Sequence, residues 1–214
     1  ADYGGGIAGR GTDATIQYCV ITANSARYHG GALHDCHGAI EHNVISGNSA
    51  HEHGGGLYSC DGTIQNNSIC DNSADWGGGL YDCSAVIRNC IMGGNQGEDQ
   101  VAESTVPTYS CIEAWSGGGE GNMAYYPHFV DAANGDYHLK TWSPCIDAGN
   151  PSFDFFNEPQ PNGGRVNMGA YGNTQEATCG SPDSDADALP DDWEMEFFAS
   201  LALGPNDDPE RDLI

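Results

Sequence analysis

The chain has 214 residues, and six Lys and Arg stand against 31 Asp and Glu, for a formal net charge of −25. Such a charge repels nucleic acid and anionic membranes, so neither is expected as a partner. No apolar stretch reaches membrane-spanning length, and a charged fraction of 17% argues against disorder.

Four Gly-rich blocks recur along the first hundred residues: Gly4-Gly5-Gly6-Ile7, Gly30-Gly31-Ala32-Leu33, Gly54-Gly55-Gly56-Leu57 and Gly77-Gly78-Gly79-Leu80. The steps from Ile7 to Leu33, Leu57 and Leu80 are 26, 24 and 23 residues. A fixed period of this size means one structural unit stacked on copies of itself. Each block leads into a short β-branched segment around Ile16, Ile40, Ile64 or Ile87, and then into a turn at Asn24, Asn48, Asn72 or Asn95. Aligned in phase, Ile21, Ile45, Ile69 and Met92 form another apolar column, Cys36, Cys60 and Cys83 a thiol column, and Cys19, Asn43, Asn67 and Cys90 a mixed one. The segments alternate apolar with polar, which is strand period. About 24 residues suit three short strands and three turns, with rungs stacking at roughly 4.8 Å. Gly and Asn are expected to supply the left-handed corners. The Leu-x-x-Leu-x-Leu run of leucine-rich repeats is absent. The fold predicted is an all-β parallel β-helix, with regular rungs over 1–100, irregular terminal rungs over 101–178 and an Asp-rich tail over 179–214.

Nine cysteines include no Cys-x-x-Cys pair, which disfavours a zinc knuckle or a thioredoxin motif. In-register side chains point the same way, so Cys36, Cys60 and Cys83 are expected as a buried thiol ladder. Cys111, Cys145 and Cys179 fall in the irregular region and are the better disulfide candidates. Asn66-Asn67-Ser68 fits the N-glycosylation acceptor pattern.

Six histidines, His29, His34, His37, His42, His51 and His53, fall within 25 residues. His29 and His53 precede equivalent Gly blocks, so they are expected one rung apart, close enough for two imidazoles to share a transition metal. Neither a third ligand nor a histidine in the following rung, where Trp76 stands, is specified. Tyr58 and Tyr81 beside Trp76 are candidates for stacking on sugars. The rung region offers only Arg10, Arg27 and Arg88 as strong bases, none flanked by an Asp cluster, and the Asp35–Asp82 column is interrupted by Ser59. A lyase site or a paired-carboxylate hydrolase site is therefore not expected, and neither is a Gly-x-Ser-x-Gly nucleophile elbow.

The tail places Asp183, Asp185, Asp187, Asp191 and Glu194 at positions one, three, five, nine and twelve of a twelve-residue loop. That is calcium-loop spacing, with the Leu189 carbonyl at position seven, so Ca2+ is the expected cofactor. A helix is predicted to follow, with Trp193, Phe197 and Leu201 on one stripe and Gly204-Pro205 as its stop. Asn206 to Asp212 has the look of a second, truncated loop.

These patterns resemble right-handed parallel β-helix repeat proteins exported by environmental bacteria, whose rungs carry Gly-Gly-Gly-Leu-Tyr and Ile-x-x-Asn-x-Ile-x-x-Asn-Ser-Ala motifs, as Gly54 to Ala74 does. The segments 129–139, 143–149 and 163–171 are similar to the last rungs and the terminal strand of such proteins. The Asp183 loop resembles dockerin and thrombospondin type 3 repeats, with Ala186 and Ala188 where Gly is usual. A missing Gly at a left-handed position weakens such a loop by about 1 kcal/mol. The resemblance implies a secreted or cell-surface, non-enzymatic structural protein; the alternative is a polysaccharide-binding or lyase-like module. The chain begins inside a repeat, at Ala1-Asp2-Tyr3-Gly4, so a mature or trimmed piece is expected, with end-to-end self-association into filaments as one consequence of an uncovered first rung.

Overall fold

A computed structural model describes residues 1–186 and 189–198. It is a parallel β-solenoid built from three main sheets and a small parallel ladder of Ser25–Ala26 with Ser49–Ala50. The first holds Ile7–Thr12, Leu33–Cys36, Leu57–Tyr58, Leu80–Tyr81 and Val101–Ala102. Ile16–Gln17, Ala39–Glu41, Thr63–Gln65 and Val86–Arg88 form the second. Val20–Thr22, Val44–Ser46, Ser68–Cys70, Ile91–Gly93 and Cys111–Ile112 form the third.

The register is the one the sequence columns predict. Ile16 pairs with Ile40, Ile40 with Ile64 and Ile64 with Ile87. Ile21, Ile45, Ile69 and Met92 pair in the same way. Leu33, Leu57, Leu80 and these Ile columns fill the interior with Cys36, Cys60, Cys83 and Cys90. Stacking identical shapes at one strand spacing gives dense packing without a long-range puzzle to solve. All nine cysteines are thiols. The ladder at Cys36, Cys60 and Cys83 is as expected; the disulfide expected among Cys111, Cys145 and Cys179 is not formed. Cys111 and Cys145 are buried thiols in a second core, and the Cys179 Sγ lies 3.7 Å from the Pro159 carbonyl.

The expected left-handed Gly and Asn corners are found in part: Gly4, Gly30, Gly54 and Gly77 have positive φ at the start of each Gly block, and Gly47 and Gly94 after the third sheet, but other corners use other residues. After the first sheet, positive φ falls on Arg10, Asp35, Ser59 and Asp82; after the second, on Tyr18, His42, Asn66 and Asn89. One left-handed residue per corner redirects the chain whatever its side chain, because stacking of the neighbouring rungs outweighs the strain of about 1–2 kcal/mol. Asn24, Asn48, Asn72 and Asn95 are not among the positive-φ residues. They spend their side chains instead. The backbone N–H and Nδ2 of Asn48 both donate to Asn72 Oδ1, at 3.0 and 2.9 Å. Asn24 donates to Asn48 Oδ1, and Asn72 to Asn95 Oδ1, through the same pair of groups. Asn48 Nδ2 also reaches back to the Ile21 carbonyl at 2.9 Å, so one buried amide ties three rungs together. Asn43 and Asn67 repeat the arrangement in a second column.

Gly5, Gly31, Gly55 and Gly78 meet a different demand. A Cβ at Gly31 would lie 2.2 Å from the Gly55 carbonyl oxygen and 2.6 Å from the Ser49 carbonyl carbon. The rungs approach so closely there that only hydrogen fits.

Beyond the rungs, Phe129–Asp131 and Asp136–Leu139 form an antiparallel pair around the 3-10 turn Ala132–Asn134. Tyr137, Leu139, Cys145, Met168 and Ala170 cover the outer face of the third sheet against Val44, Cys70, Ile91 and Cys111. The third sheet is thus apolar on both faces, and Val44–Ser46 is buried at every residue. Residues 166–170 contain no strand. They run along the second corner, where Asn66 Nδ2 donates to the Asn167 carbonyl, Gly169 N–H to the Asn89 carbonyl and Ala170 N–H to Ser68 Oγ. Asn66 is fully buried under this strap, so the acceptor pattern at Asn66-Asn67-Ser68 is not presented at the surface. The helix Asp191–Phe197 docks through Thr141 Oγ1 to Asp192 at 2.7 Å and Lys140 Nζ to Glu196 at 2.9 Å. Leu201, Gly204, Pro205 and the second loop from Asn206 to Asp212 lie outside the described residues. Among the described residues, no helix is long and apolar enough to cross a membrane.

The amide ladder generates a prediction. Asn48→Ala strands Asn24 N–H and Nδ2 and the Ile21 carbonyl, while Asn72 Oδ1 keeps the residue-48 N–H as donor, and it is expected to cost about 3 kcal/mol, from unmet buried groups at about 1–3 kcal/mol each. Asn24→Ala, at the ladder's exposed first member, is expected to cost about 1 kcal/mol. Urea unfolding of both variants measures the difference; equal costs would mean that the ladder does not distribute load along the stack.

Candidate functional site

The outward side of the first sheet carries an array of rings. Strand alternation sends Leu33, Leu57 and Leu80 inward, so the next residues, His34, Tyr58 and Tyr81, face out in register. A second column lies beside the first, where isolated parallel bridges link Tyr3 to His29, His29 to His53 and His53 to Trp76. Tyr58 and Tyr81 are stacked 5.8 Å apart at an interplanar angle of 2°, and His34 stacks on Tyr58 at 5.1 Å and 11°. His29 stacks on Tyr58 at 4.6 Å, and His53 tilts against Tyr81 at 4.4 Å. Trp76 is 47% exposed at the margin. Each ring stands on backbone fixed by the rung ladder, so the array is rigid.

The array runs into an open groove of about 860 Å³ between it and the later turns, lined among others by Trp76, Tyr81, Glu98, Asp99, Glu113 and Trp115. Acidic and aromatic side chains thus share one depression.

Burial favours the neutral forms of His29, His34 and Tyr58. Burial, then the neighbouring His53, lowers the pKa of His29, and burial lowers that of His34. Burial, then Asp82, raises that of Tyr58, which stays a phenol. Elsewhere, His42 sits under the strap with Nδ1 3.3 Å from the Ala170 carbonyl, and burial lowers its pKa. His37 lies between Asp35 and Asp61 at 3.1 and 3.6 Å. The six clustered histidines therefore divide among separate surfaces: His29, His34 and His53 share the array, whereas His37, His42 and His51 do not.

His29 and His53 do meet, with their Nδ1 atoms 3.1 Å apart. Glu52, which sequence reasoning did not single out, lies beside both rings. Tyr3 and His34 were missed as well; their 26- and 24-residue offsets from His29 and Tyr58 were the available signal.

At the tail, Asp191 Oδ1 and Oδ2 accept bonds from Ser184 N–H at 2.7 Å and Ser184 Oγ at 2.5 Å, which fold the start of the Asp183–Asp185 segment onto the start of the helix. These bonds lower the pKa of Asp191. Leu189 and Glu194 are buried. Ala186 has a φ of +60°, so the left-handed turn falls at the fourth loop position. Asp187, with Ala188, lies outside the described residues.

Comparison of the chain with protein-family models, with curated proteins and with solved structures finds no match in any of the three. The solenoid itself is compatible with a surface or polysaccharide-related role.

The buried imidazoles predict a pH dependence. His29, His34, His42 and His128 all have lowered pKa values, with burial as the first cause in each. Near pH 6.5 and below, the unfolded chain takes up protons at these positions that the folded chain does not, so stability is lost as pH falls below about 6.5. The urea midpoint is expected to be lower at about pH 5.5 than at about pH 7.5, and His42→Gln to flatten the dependence. A midpoint constant across this window would contradict the assignment.

Proposed function

We propose that this protein is an extracellular, non-catalytic β-solenoid that holds a neutral polysaccharide against its ring-bearing sheet. The observation that carries this reading is the in-register array of His34, Tyr58 and Tyr81 beside His29, His53 and Trp76. Aromatic rings on fixed backbone offer large amphipathic contact area at little cost in conformational entropy. A pyranose ring has apolar C–H faces and polar edges. The array suits the faces, and Glu98, Asp99 and Glu113 in the adjoining groove accept hydrogen bonds from edge hydroxyls. A net charge of −25 repels polyuronates, which favours an uncharged glycan. The array residues include no Lys or Arg to neutralise a uronate carboxylate, which favours binding over lyase chemistry. Secretion follows the bacterial repeat proteins that the chain resembles.

Affinity electrophoresis through gels containing neutral glucans, galactans or chitosaccharides tests the reading. Retardation is expected in at least one gel, and Tyr58→Ala with Tyr81→Ala is expected to weaken it about tenfold, at about 0.5–1.5 kcal/mol per lost ring. Retardation unchanged by the double substitution would remove the array from binding. Release of new reducing or unsaturated ends would replace binding with the cleavage reading.

The proposal includes calcium in the Asp183 loop, with Asp183, Asp185, Asp187, Leu189, Asp191 and Glu194 as donors by their spacing. Calcium at 100 times its dissociation constant is expected to stabilise the chain by about 2.7 kcal/mol, and chelator to reverse this. Ala186→Gly relieves a positive φ and is expected to tighten binding by about 1 kcal/mol. A thermal midpoint indifferent to calcium would exclude the loop as a site.

A further inference from the structure

Among the described residues, His29, Glu52 and His53 bring ligand types from two rungs within reach of one ion at a solvent-accessible point. One ligand atom from each lies within 4.8 Å of the other two. The two Nδ1 atoms are 3.1 Å apart, which a hydrogen bond between neutral imidazoles explains by itself. Glu52 is different. Its Oε2 stands 3.7 Å from His29 Nε2 and 4.0 Å from His53 Nδ1, too far to hydrogen-bond to either. Ligand atoms about 2.0–2.1 Å from a tetrahedral metal are about 3.3 Å from one another, so a set with one atom from each residue within 4.8 Å closes onto an ion by small side-chain rotations. His29 presents one nitrogen to His53 and the other to Glu52, and a turn about χ2 selects the nitrogen that completes the set.

We propose that His29, Glu52 and His53 form a site for a first-row transition-metal ion such as Zn2+, with its remaining coordination positions open to solvent. Two imidazoles and one carboxylate suit Zn2+, Ni2+ or Cu2+, and they do not suit Ca2+, which takes six or more oxygens. The backbone holds the ligands in place before any ion arrives. His29 and His53 are bridged partners, Gly30 N–H donates to the His53 carbonyl, Glu52 N–H donates to the Tyr28 carbonyl, and the Glu52 carbonyl accepts from Trp76 N–H. Side-chain exposures of 19%, 28% and 43% for His29, His53 and Glu52 leave an entry path. His53 also lines the groove, so an ion bound there would face it. The site uses atoms other than the Tyr58 and Tyr81 faces, and it stands whether or not the array binds glycan.

Co2+ is the probe, titrated into the reduced full chain with Ca2+ in excess to occupy oxygen-rich sites. One equivalent is expected to produce visible d–d bands without the near-ultraviolet thiolate-to-cobalt bands that cysteine ligation would give. His29→Gln and His53→Gln are each expected to weaken binding at least tenfold, and Glu52→Gln severalfold. Zn2+ is expected to shift the imidazole 15N resonances of His29 and His53 in the unsubstituted protein and to leave those of His42 and His128 in place, a readout that needs no variant to fold. Thiolate bands, affinity unchanged in both histidine variants, resonance shifts elsewhere, or the absence of saturable binding would each overturn the proposal.

Discussion

Everything in this molecule depends on in-register stacking of rungs, and the buried asparagine amides enforce that register. Hydrophobic columns alone forbid a one-residue slip, which would turn every Ile outward, but they discriminate less against a two-residue slip that keeps the same face buried. An Asn side chain tolerates neither slip. Asn48 must accept from Asn24 and donate to both Asn72 and the Ile21 carbonyl, and a shifted rung would leave these groups buried without partners. Low local dielectric strengthens each satisfied bond and penalises each missing one, so the ladder selects one stacking arrangement where apolar packing supplies bulk stability. The glycine column adds a steric limit in the same direction, since the Gly31–Gly55 contact leaves no room for a side chain.

A solenoid of short strands exposes two faces of every sheet, and this chain treats its three sheets unequally. The third is roofed by Tyr137, Leu139, Cys145, Met168 and Ala170, and its outward residues are accordingly apolar. Val20, in the first rung, is 71% exposed. The first sheet carries no such roof, and its outward positions hold rings with polar edges, which tolerate water and also present apolar area. An extensive aromatic surface left uncovered on an otherwise acidic particle is the kind of patch that marks a binding face.

The rungs were readable because their determinants are local and periodic. Ile16, Ile40 and Ile64 are equally spaced in sequence, and that spacing is their contact. The corners were readable at Gly30, Gly54 and Gly77 but not after the first two sheets, where left-handed backbone at Asp35, His42 or Ser59 is imposed by the stack and overrides the preference for Gly or Asn. Asn at the turns was noticed for the wrong reason: the sequence marks Asn24, Asn48, Asn72 and Asn95 as turn formers, whereas the structure uses their amides as rivets between rungs. The strap over Asn66 and Asn89 joins positions a hundred or so residues apart with no repeat to announce it. Within the ring array, Tyr58, Tyr81, Trp76, His29 and His53 came from column alignment, but Glu52 did not. Acids stand at the same position in two other rungs, Asp2 before Tyr3 and Asp75 before Trp76, so position alone did not distinguish Glu52; only in its rung does the acid sit beside paired imidazoles.

Stacking also explains why departures from the repeat carry the chemistry. Where the same residue recurs at every rung, its neighbours above and below are copies, and the column can serve only packing or register. Function needs unlike groups at one point, and a solenoid provides them only where a column changes identity. The column running Tyr3, His29, His53 and Trp76 changes at both ends, which confines the paired imidazoles to two adjacent rungs and sets tyrosine and tryptophan at their margins. In the neighbouring column, which runs Asp2, Tyr28, Glu52 and Asp75, an acid stands beside the paired imidazoles at Glu52. The repeat fixes the distance between two successive members at one strand spacing, close to what two rings need to stack or to share a ligand, so substitution at a single position in each rung is enough to write a site onto a rigid surface.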